Sequence, residues 1–448
     1  MGKPQVIDDE GHDRVLGRVA AVDVAKASGM VCVRGPHPSR PGERRSTVQE
    51  VPATLRAVRE LAGRLAAQGV EKVTLESTSD YWRIWFYVLE EAGLDVQLVS
   101  ASQVRQLPGR PKTDKLDAVW LARLTEKGLL RPSFVPPPEI RVLRQYTRAR
   151  THLVQDRTRC FQRLEKLLED ALIKLSAVAS KLTTLSAQDM IRAMIAGERD
   201  PAVLAGLART RMKAKEQALI EALAGKFTSH HGELAQMLLD QIAFLDKKIA
   251  RLALLISEQL ASIRGTWGIG PGGDTGPGAG TGQDAIIRPA ITRLDQVPGI
   301  SPDLAASIIA ETGLDMTRFP TPGHLVSWAG LCPRAIQSGP RSRDGRKHGN
   351  AYLRGYLGQA ATGAAGTATF LGERHARIAR RRGKPKAQVA TARSILVIIW
   401  HLLADPAATF TDLGPGYHDA RTDTHRKTRT HIRQLEALGY HVTLTHAA

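Results

Sequence analysis

Residues 112–118 read Lys-Thr-Asp-Lys-Leu-Asp-Ala and open the apolar run Val-Trp-Leu-Ala-Arg-Leu at residues 119–124. In a helix, Asp114 and Asp117 are three residues apart and project from one face. Two carboxylates at this spacing repel each other, whereas a divalent cation between them attracts both, since Mg2+ takes hard carboxylate oxygens as ligands. The alternative is an ordinary helix start, where acids are stabilised by the helix dipole.

Two further acids stand at the ends of apolar, strand-like runs. Asp23 follows Val-Ala-Ala-Val at residues 19–22, and Glu76 follows Val-Thr-Leu at residues 73–75. Burying an unpaired carboxylate is costly, so an acid in such a position needs a partner. Together with the two helix acids, Asp23 and Glu76 favour a shared cation pocket over a plain helix start.

The composition points to a polyanion partner. The 448 residues are enough for two or three domains, and 42% apolar with 24% charged residues is typical of a soluble globular protein. The net charge of +19 favours nucleic acid. A membrane surface would attract the same charge, but we find no uninterrupted apolar stretch of about 18 residues and no signal-peptide pattern.

The three cysteines, Cys32, Cys160 and Cys332, are widely spaced. Their number and spacing exclude a disulfide framework or a zinc cluster. We therefore predict a cytoplasmic, nucleoid-associated protein.

The pattern of the N-terminal part predicts a mixed sheet flanked by helices. After a flexible, polar segment at 1–14, the predicted order is βββαβαβα. Strands are expected at 15–26, 29–35, 44–51, 73–76 and 95–100, and helices at 55–69, 81–92 and from Asp114 onward.

The arrangement of acids resembles that of the ribonuclease H/RuvC-like nucleases. One acid ends the first strand, another ends the fourth, and two stand on a late helix. Glu76 in Leu-Glu-Ser-Thr and the pattern Asp114-x-x-Asp117-Ala are more specific. With Asp23, they resemble the N-terminal domain of the DEDD transposases of insertion-sequence family 110, relatives of the Piv invertases. The resemblance implies that these four acids in a domain at 15–131 bind Mg2+ or Mn2+ and polarise the scissile phosphate.

The middle of the chain is predicted to have a structural rather than a catalytic role. Prolines at 132–138 mark a boundary, and a helical spacer is expected at 139–264. An antiparallel coiled-coil pair or an oligomer seam is one interpretation of its apolar ladders, and an ordinary helical bundle is the other. The ladders are Phe161, Leu164, Leu168, Ala171 and Leu175, then Leu238, Ile242, Leu245, Ile249, Leu252 and Ile256.

The segment 265–290 is rich in glycine. A phosphate-binding loop is one interpretation, but no Gly-Lys-Ser/Thr follows the glycines and no strand precedes them. We interpret the segment as a flexible linker.

A second domain is expected at 291–404. Residues 297–302 read Val-Pro-Gly-Ile-Ser-Pro and precede an apolar helix, which resembles a helix-hairpin-helix. In that motif, backbone N–H groups of a glycine turn hold a phosphate without reading base sequence. Ser301 stands where the usual pattern has a second glycine after Gly299, and an ordinary αα-hairpin remains the alternative.

Further along, Gln-Ser-Gly at 337–339 is followed by a run of cations. The Ser338 hydroxyl could attack a phosphodiester while guanidinium groups neutralise the transition state. Ser-Gly is ordinary loop composition, so spacing alone gives a weak signal. Predicted nucleic-acid contacts of this domain are Gly299, Ser301, Arg341, Arg343, Arg346, Lys347, Asn350, Arg354, Arg380, Arg381 and Arg382.

The second domain also resembles the C-terminal transposase domain of the same family. The motifs that carry the resemblance are Pro-Gly-Ile, Glu-x-Gly, Gly-Leu-x-Pro, Ser-Gly and Lys-x-Gly-Asn with a later Leu-Arg. In that family the serine of this loop is the recombination nucleophile, which implies Ser338 here. Ser342 is the nearest competitor, and Ser327 is a poor one because it falls in a predicted helix.

Residues 374–386 hold seven cations and are interpreted as a nucleic-acid backbone contact, with a solvated helix face as the alternative. The C-terminal extension at 405–448 is expected to be irregular. Its histidines, His418, His425, His431 and His441, lack a metal-ligand spacing.

The two resemblances occur in the family's order and predict a DNA transposase or recombinase of an insertion sequence, acting by phosphoryl transfer. They also imply an RNA guide encoded by the element and a homo-oligomer, dimer or tetramer. Composition supports the polyanion but says nothing about a guide. The alternatives are a hydrolytic junction resolvase that uses the metal without the serine, and a non-catalytic architectural DNA-binding protein.

Overall fold

A computed structural model describes residues 16–77, 79–101, 114–263, 289–332, 334–338, 341–345, 349–420 and 424–444. The flexible N-terminus predicted at 1–14, almost all of the predicted linker, and Arg346 with Lys347 lie outside the described residues. The chain divides into two compact units, Met1–Val135 and Pro136–Ala448.

The first unit is built on a five-stranded sheet. Its strands are β1 Val19–Val24, β2 Ser28–Pro36, β3 Arg44–Pro52, β4 Lys72–Ser77 and β5 Val96–Ser100, and its helices are α1 Leu55–Ala67, α2 Trp82–Glu91 and α3 Asp114–Glu126. The strand order is β3-β2-β1-β4-β5. β1, β4 and β5 run parallel, while β2 is antiparallel to both β1 and β3. The predicted mixed sheet is confirmed.

The alternation of side chains along β1 explains why helices cover both faces of this sheet. Ala20 and Val22 belong to the core shared with α1 and α2. Val19 and Ala21 point the other way and pack with residues of α3. β1 is therefore apolar on both faces up to Asp23, which lies on the same face as Val19 and Ala21.

The C-terminal end of α3 is held by ion pairs. Glu126 is buried, and Arg34 of β2 donates to its Oε2 over 2.9 Å, while Arg44 of β3 donates to Oε1. The N–H of Leu16, just before β1, donates to the Glu126 carbonyl at 3.0 Å. Since the start of β1 meets the end of α3, the start of α3 faces the end of β1.

The second unit is mainly helical. Its helices are α4 Pro138–Asp170, α5 Leu175–Val178, α6 Leu185–Ile195, α7 Pro201–Gly206, α8 Glu216–Leu223, α9 Ser229–Ser262, α10 Ala290–Asp295, α11 Pro302–Thr312, α12 Pro322–Trp328, α13 Ala351–Ala365, α14 Phe370–Arg382, α15 Lys384–Ala404, α16 Tyr417–Ala420 and α17 Thr424–Ala437. Strands β6 Arg334–Ser338 and β7 Arg341–Gly345 pair as a hairpin. The prediction of an irregular extension was wrong, since α16 and α17 lie within it.

The long helices α4 and α9 pack side by side in antiparallel directions. Gln259 near the end of α9 donates to the Glu139 carbonyl at the start of α4, over 3.1 Å. At the other end, His231 of α9 lies 3.2 Å from Asp170 of α4. The buried positions of the second ladder are Ile242, Leu245, Ile249 and Ile256, with Leu239 in place of Leu238. Supercoiling of this pair stays a prediction.

A buried carboxylate connects α4 to α11 and α13. The Glu311 side chain has no exposed surface, and Arg148 of α4 donates to its two oxygens over 2.7 and 2.8 Å. Asn350, just before α13, donates to the same carboxylate at 2.6 Å. The pKa of Arg148 is raised, because hydrogen bonding to Glu311 and its charge outweigh the effect of burial.

Truncating this carboxylate should destabilise the second unit. We expect Glu311→Ala to lower the free energy of unfolding by about 3 kcal/mol, because it removes a fully buried carboxylate and leaves the half-buried Arg148 guanidinium without its counter-ion. Asp303→Ala is the matched control, since Asp303 pairs with Arg150 between the same two helices but is largely exposed. It should cost about 1 kcal/mol or less. Urea unfolding followed by circular dichroism measures both, and equal losses would contradict the expectation.

One described helix, α15, is long and apolar enough to cross a membrane by length and composition alone. It packs against α12, α13 and α14. Its buried residues include Ile395, Leu396, Ile399 and Leu402. The core helix of a soluble protein can have the same length and composition, so we do not assign α15 to a membrane.

Candidate active site

Two of the four predicted acids are direct neighbours in the sheet. In the parallel pairing of β1 with β4, Asp23 is in register with Glu76. Each residue lies near the carboxyl end of its strand, and both belong to the sheet face that α3 covers. Glu76 is buried and Asp23 is half-buried. The structure thus brings together two acids that are 53 positions apart in the chain.

The helix acids lie at the same edge. Ala118, Leu121 and Ala122 of α3 pack on the sheet. Asp117 precedes Leu121 by about one helical turn, and Asp114 precedes Ala118 likewise, so both are placed on the sheet-facing side of α3. Asp117 is half-buried. The Asp114 side chain is outside the described part, although its backbone begins the helix.

The part of the α3–sheet interface away from the acids is polar, and its side chains hydrogen-bond to one another. Thr125 of α3 donates to Thr74 Oγ1 of β4 at 2.8 Å, and Gln97 of β5 donates to the same oxygen at 2.7 Å. Glu126 follows with its two arginines. These contacts fix the rotation and height of α3 on the sheet and hence the position of its acidic first turn.

The donor set fits a hard divalent cation. The residues converging on this edge are carboxylates, which Mg2+ and Mn2+ accept readily, whereas zinc sites favour thiolate and imidazole ligands. Asp23, Glu76 and Asp117 each make further polar or electrostatic contacts, so none of them is an isolated charge. A cation would balance charges that otherwise repel one another across the strand ends.

The nearest cysteine does not change this donor set. Cys32 of β2 pairs with Ala21 of β1 and is fully buried. Burial raises the pKa of its thiol to about 11, against smaller lowering effects of a hydrogen bond with Ser46 and the charges of Arg34 and Arg123. The thiol is therefore protonated at neutral pH, which makes it a poor nucleophile.

A second cluster with metal-ligand atoms lies elsewhere and was missed by the sequence analysis. Ligand atoms of Asp170, His230 and His231 lie within 4.8 Å of one another. His231 Nδ1 accepts from the Thr228 N–H at 3.2 Å, as part of the capping box that begins α9. His231 Nε2 faces Asp170 Oδ2 at 3.2 Å. Helix capping accounts for this geometry without a metal. The adjacent histidines at 230 and 231 were its only sequence signal.

Ser338 lies in a β-hairpin rather than in the loop that its Ser-Gly composition suggested. It is the last residue of β6 and is in register with Arg341, the first residue of β7. Arg343 pairs with Ile336 and Ser342 with Gln337. The hairpin places the serine next to its turn and brings two predicted cationic positions onto the opposing strand. Its side chains are outside the described part.

The glycine turn before α11 is tightly packed. Gly299 has φ +88, and a Cβ there would lie 2.1 Å from the Ala360 carbonyl oxygen of α13. The Ser301 hydroxyl accepts from the Leu304 N–H at 3.3 Å and caps α11. Packing and capping therefore account for both residues, and phosphate binding at this turn stays a prediction.

Other predicted contacts differ in accessibility. Asn350 uses both ends of its amide inside the protein, donating to Glu311 and accepting from the Leu353 N–H at 3.1 Å. This favours a structural role for Asn350. Arg354 is half-buried and engaged in a further contact. Arg380, Arg381 and Arg382 at the end of α14 are exposed, as a contact surface for a polyanion requires.

Comparison with protein families decides the class of the chain. A model described as "Transposase", for the DEDD domain of IS110 elements, matches residues 20–173. A second model, described as "Transposase IS116/IS110/IS902 family", matches residues 291–375. The chain belongs to the IS110 family of transposases. This IS110-family protein is therefore a DNA-acting transposase or recombinase, and its DEDD domain indicates the use of a divalent metal. The predicted family is confirmed, as is the mixed sheet with flanking helices followed by a mainly helical region.

Among solved structures, "T. thermophilus RuvC in complex with Holliday junction substrate" is similar at 15% sequence identity and a TM-score of 0.21. The match covers 26% of this IS110-family chain and 100% of the RuvC chain. No curated protein matches the chain.

Proposed function

We propose that this transposase cleaves and exchanges DNA strands with a Mg2+ or Mn2+ centre held by Asp23, Glu76, Asp114 and Asp117. The observation that carries the proposal is the register of Asp23 with Glu76 at the edge of the sheet where α3 begins with its two acids. When bound, the metal polarises the scissile phosphate and stabilises negative charge on its oxygens.

The remaining roles belong to the chain's own side chains. Ser338 acts as the nucleophile and forms a transient phosphoserine link, in which its oxygen bonds to phosphorus as the leaving DNA oxygen departs. Arg341 and Arg343, on the strand paired with β6, lower the energy of the pentavalent state by neutralising its charge. The exposed arginines 380–382 of α14 contact the nucleic-acid backbone.

The resemblance to the family also supports an element-encoded guide RNA and a homo-oligomer, and a cytoplasmic location at the nucleoid. The high positive charge is compatible with both DNA and RNA. It does not choose between them.

Nucleic acid that accompanies the protein tests this function. The full-length chain, expressed together with its flanking DNA and purified at moderate salt, should retain one structured RNA encoded beside its gene. Sequencing of the bound nucleic acid measures this, with the protein expressed without the flanking DNA as the control. Recovery of only random cellular RNA in both preparations would contradict the guide.

A further inference from the structure

A cavity opens on the face of α14 that carries the basic block. It has a volume of about 330 Å3 and is lined by Arg377, Ile378, Arg381 and Arg382. Arg374 lies one turn earlier on the same helix, at the spacing that places residues on one face. The lining is thus almost wholly cationic.

Two of these arginines have buried donors without an acceptor. The Nε atoms of Arg374 and Arg377 are both shielded from solvent and make no hydrogen bond in the described structure. Leaving a buried donor unsatisfied costs about 1–3 kcal/mol, and more for a charged group. Such donors are uncommon in folded proteins and need an explanation, of which a bound anion is one.

Within the described ranges, no carboxylate balances this cluster. None of the ion pairs of 4.0 Å or less involves Arg374, Arg377, Arg381 or Arg382. Glu373 is one turn from Arg377, yet its Oε2 is buried and also lacks a hydrogen-bond partner. The cluster therefore keeps its full positive charge.

The arginines also repel one another. Burial lowers the pKa of Arg374, and the neighbouring charges of Arg377 and Arg393 lower it further. A bound anion beside Arg377 would relieve this repulsion by charge-assisted hydrogen bonding.

The C-terminal extension contacts the helix that lines the cavity. Arg377 donates to His418 Nε2 at 3.3 Å, and the His418 ring stacks on Phe370 at the start of α14, with centroids 5.0 Å apart. Asp412 accepts from the Phe370 N–H at 3.1 Å and holds the extension there. Arg377, Arg381, Arg382 and His418 all lie beyond residue 375, where the second family match ends.

We propose that this cavity binds a phosphate group of a nucleic-acid strand, with Arg377, Arg381 and Arg382 donating to its oxygens and the neighbouring Arg374 adding charge. Guanidinium groups match the geometry of phosphate oxygens, and the cavity is large enough for a phosphate with part of its sugar. That the phosphate is part of a nucleic acid rests on the proposed function; the anion site itself does not.

Inorganic phosphate tests the anion site on the full-length protein. Titration calorimetry against sodium phosphate, at constant ionic strength set with chloride, should show binding that R374Q/R377Q weakens at least tenfold. The charge-matched control is R192Q/R318Q, because both arginines are exposed and pair with acids on their own helical turns. Should R374Q/R377Q fail to fold, R381Q/R382Q on the exposed rim is expected to weaken phosphate binding in the same direction. Equal phosphate affinity in wild type, variants and control would overturn the inference.

The source of the phosphate is tested by the salt dependence of binding to duplex DNA and to single-stranded RNA. For R374Q/R377Q, the slope of log K against log salt should become less steep by about 0.9 for a duplex or about 0.7 for a single strand, because one phosphate contact is lost. The nucleic acid whose slope changes is the ligand. Loss of phosphate binding with both slopes unchanged would overturn the assignment to nucleic acid. Phosphate binding by a wild-type protein that binds neither polymer would instead overturn the proposed function.

Discussion

Replacing Glu76 with glutamine is expected to reduce metal-dependent DNA cleavage by on the order of 10^3-fold or more. Glutamine keeps the shape of the side chain but removes the negative charge that sits in register with Asp23. The cation is then held by fewer charges, and the phosphate oxygens lose the electrostatic stabilisation that the bound metal supplies. Cleavage of a DNA substrate carrying an element end, with and without Mg2+, measures the effect.

The control for this variant is Glu60→Gln. Glu60 lies in the same unit on α1, is exposed, and pairs with Arg56 one turn away. Its replacement should leave cleavage within about twofold of wild type, because a surface ion pair contributes little. Normal cleavage by a folded Glu76→Gln protein would contradict the proposed role of the acids in cleavage.

Ser338→Ala is expected to abolish strand exchange, with a loss of at least about 10^4-fold, because removal of a covalent nucleophile leaves only binding and electrostatic contributions. The same variant should form no covalent protein–DNA adduct on denaturing gels, while wild type should form one. Metal binding should be unaffected, since the serine is not one of the four acids proposed to hold the cation.

Ser342→Ala is the matched control for the nucleophile. Ser342 lies in the same hairpin, in register with Gln337, and is the nearest alternative serine. It should retain both adduct and exchange. Cleavage that survives in Ser338→Ala without any adduct would favour the hydrolytic junction resolvase, which uses metal-activated water. An adduct that disappears in Ser342→Ala instead would move the nucleophile to that residue.

Much of the first unit could be predicted from sequence because its signals are local. The apolar runs at 19–22 and 73–75 carry β-forming valine residues, and the apolar residues of α1 between them recur at 3.6-residue spacing. The observed strands β1 and β4 begin and end within a few residues of the expected positions. The acids at the strand ends stood out because their surroundings are apolar. Their common edge then followed from the parallel order of the strands.

The β6–β7 hairpin could not be predicted in this way. Its second strand reads Arg-Ser-Arg-Asp-Gly, which lacks the alternation of apolar and polar residues that marks a half-buried strand. The sequence around Ser338 therefore resembled a loop. Its strand character comes from pairing with β6, which composition does not report.

Polar contacts between residues far apart in the chain could not be predicted from the sequence either. Arg148 meets Glu311 across 163 positions, and Arg34 meets Glu126 across 92. Each of these residues looks like an ordinary surface charge in the sequence. The same holds for Arg374 and Arg377, whose buried donors distinguish them from the exposed arginines 380–382 only once α14 is packed against its neighbours.

The most direct test of the acid pocket is the binding of Mn2+ by the full-length protein in the absence of DNA, measured by the loss of the free-ion signal in electron paramagnetic resonance. We expect wild type to bind Mn2+ and the D23N/E76Q double variant to bind at least about tenfold more weakly, because two of the charges that attract the cation are gone. Equal binding by the two folded proteins would place the metal elsewhere and contradict the account.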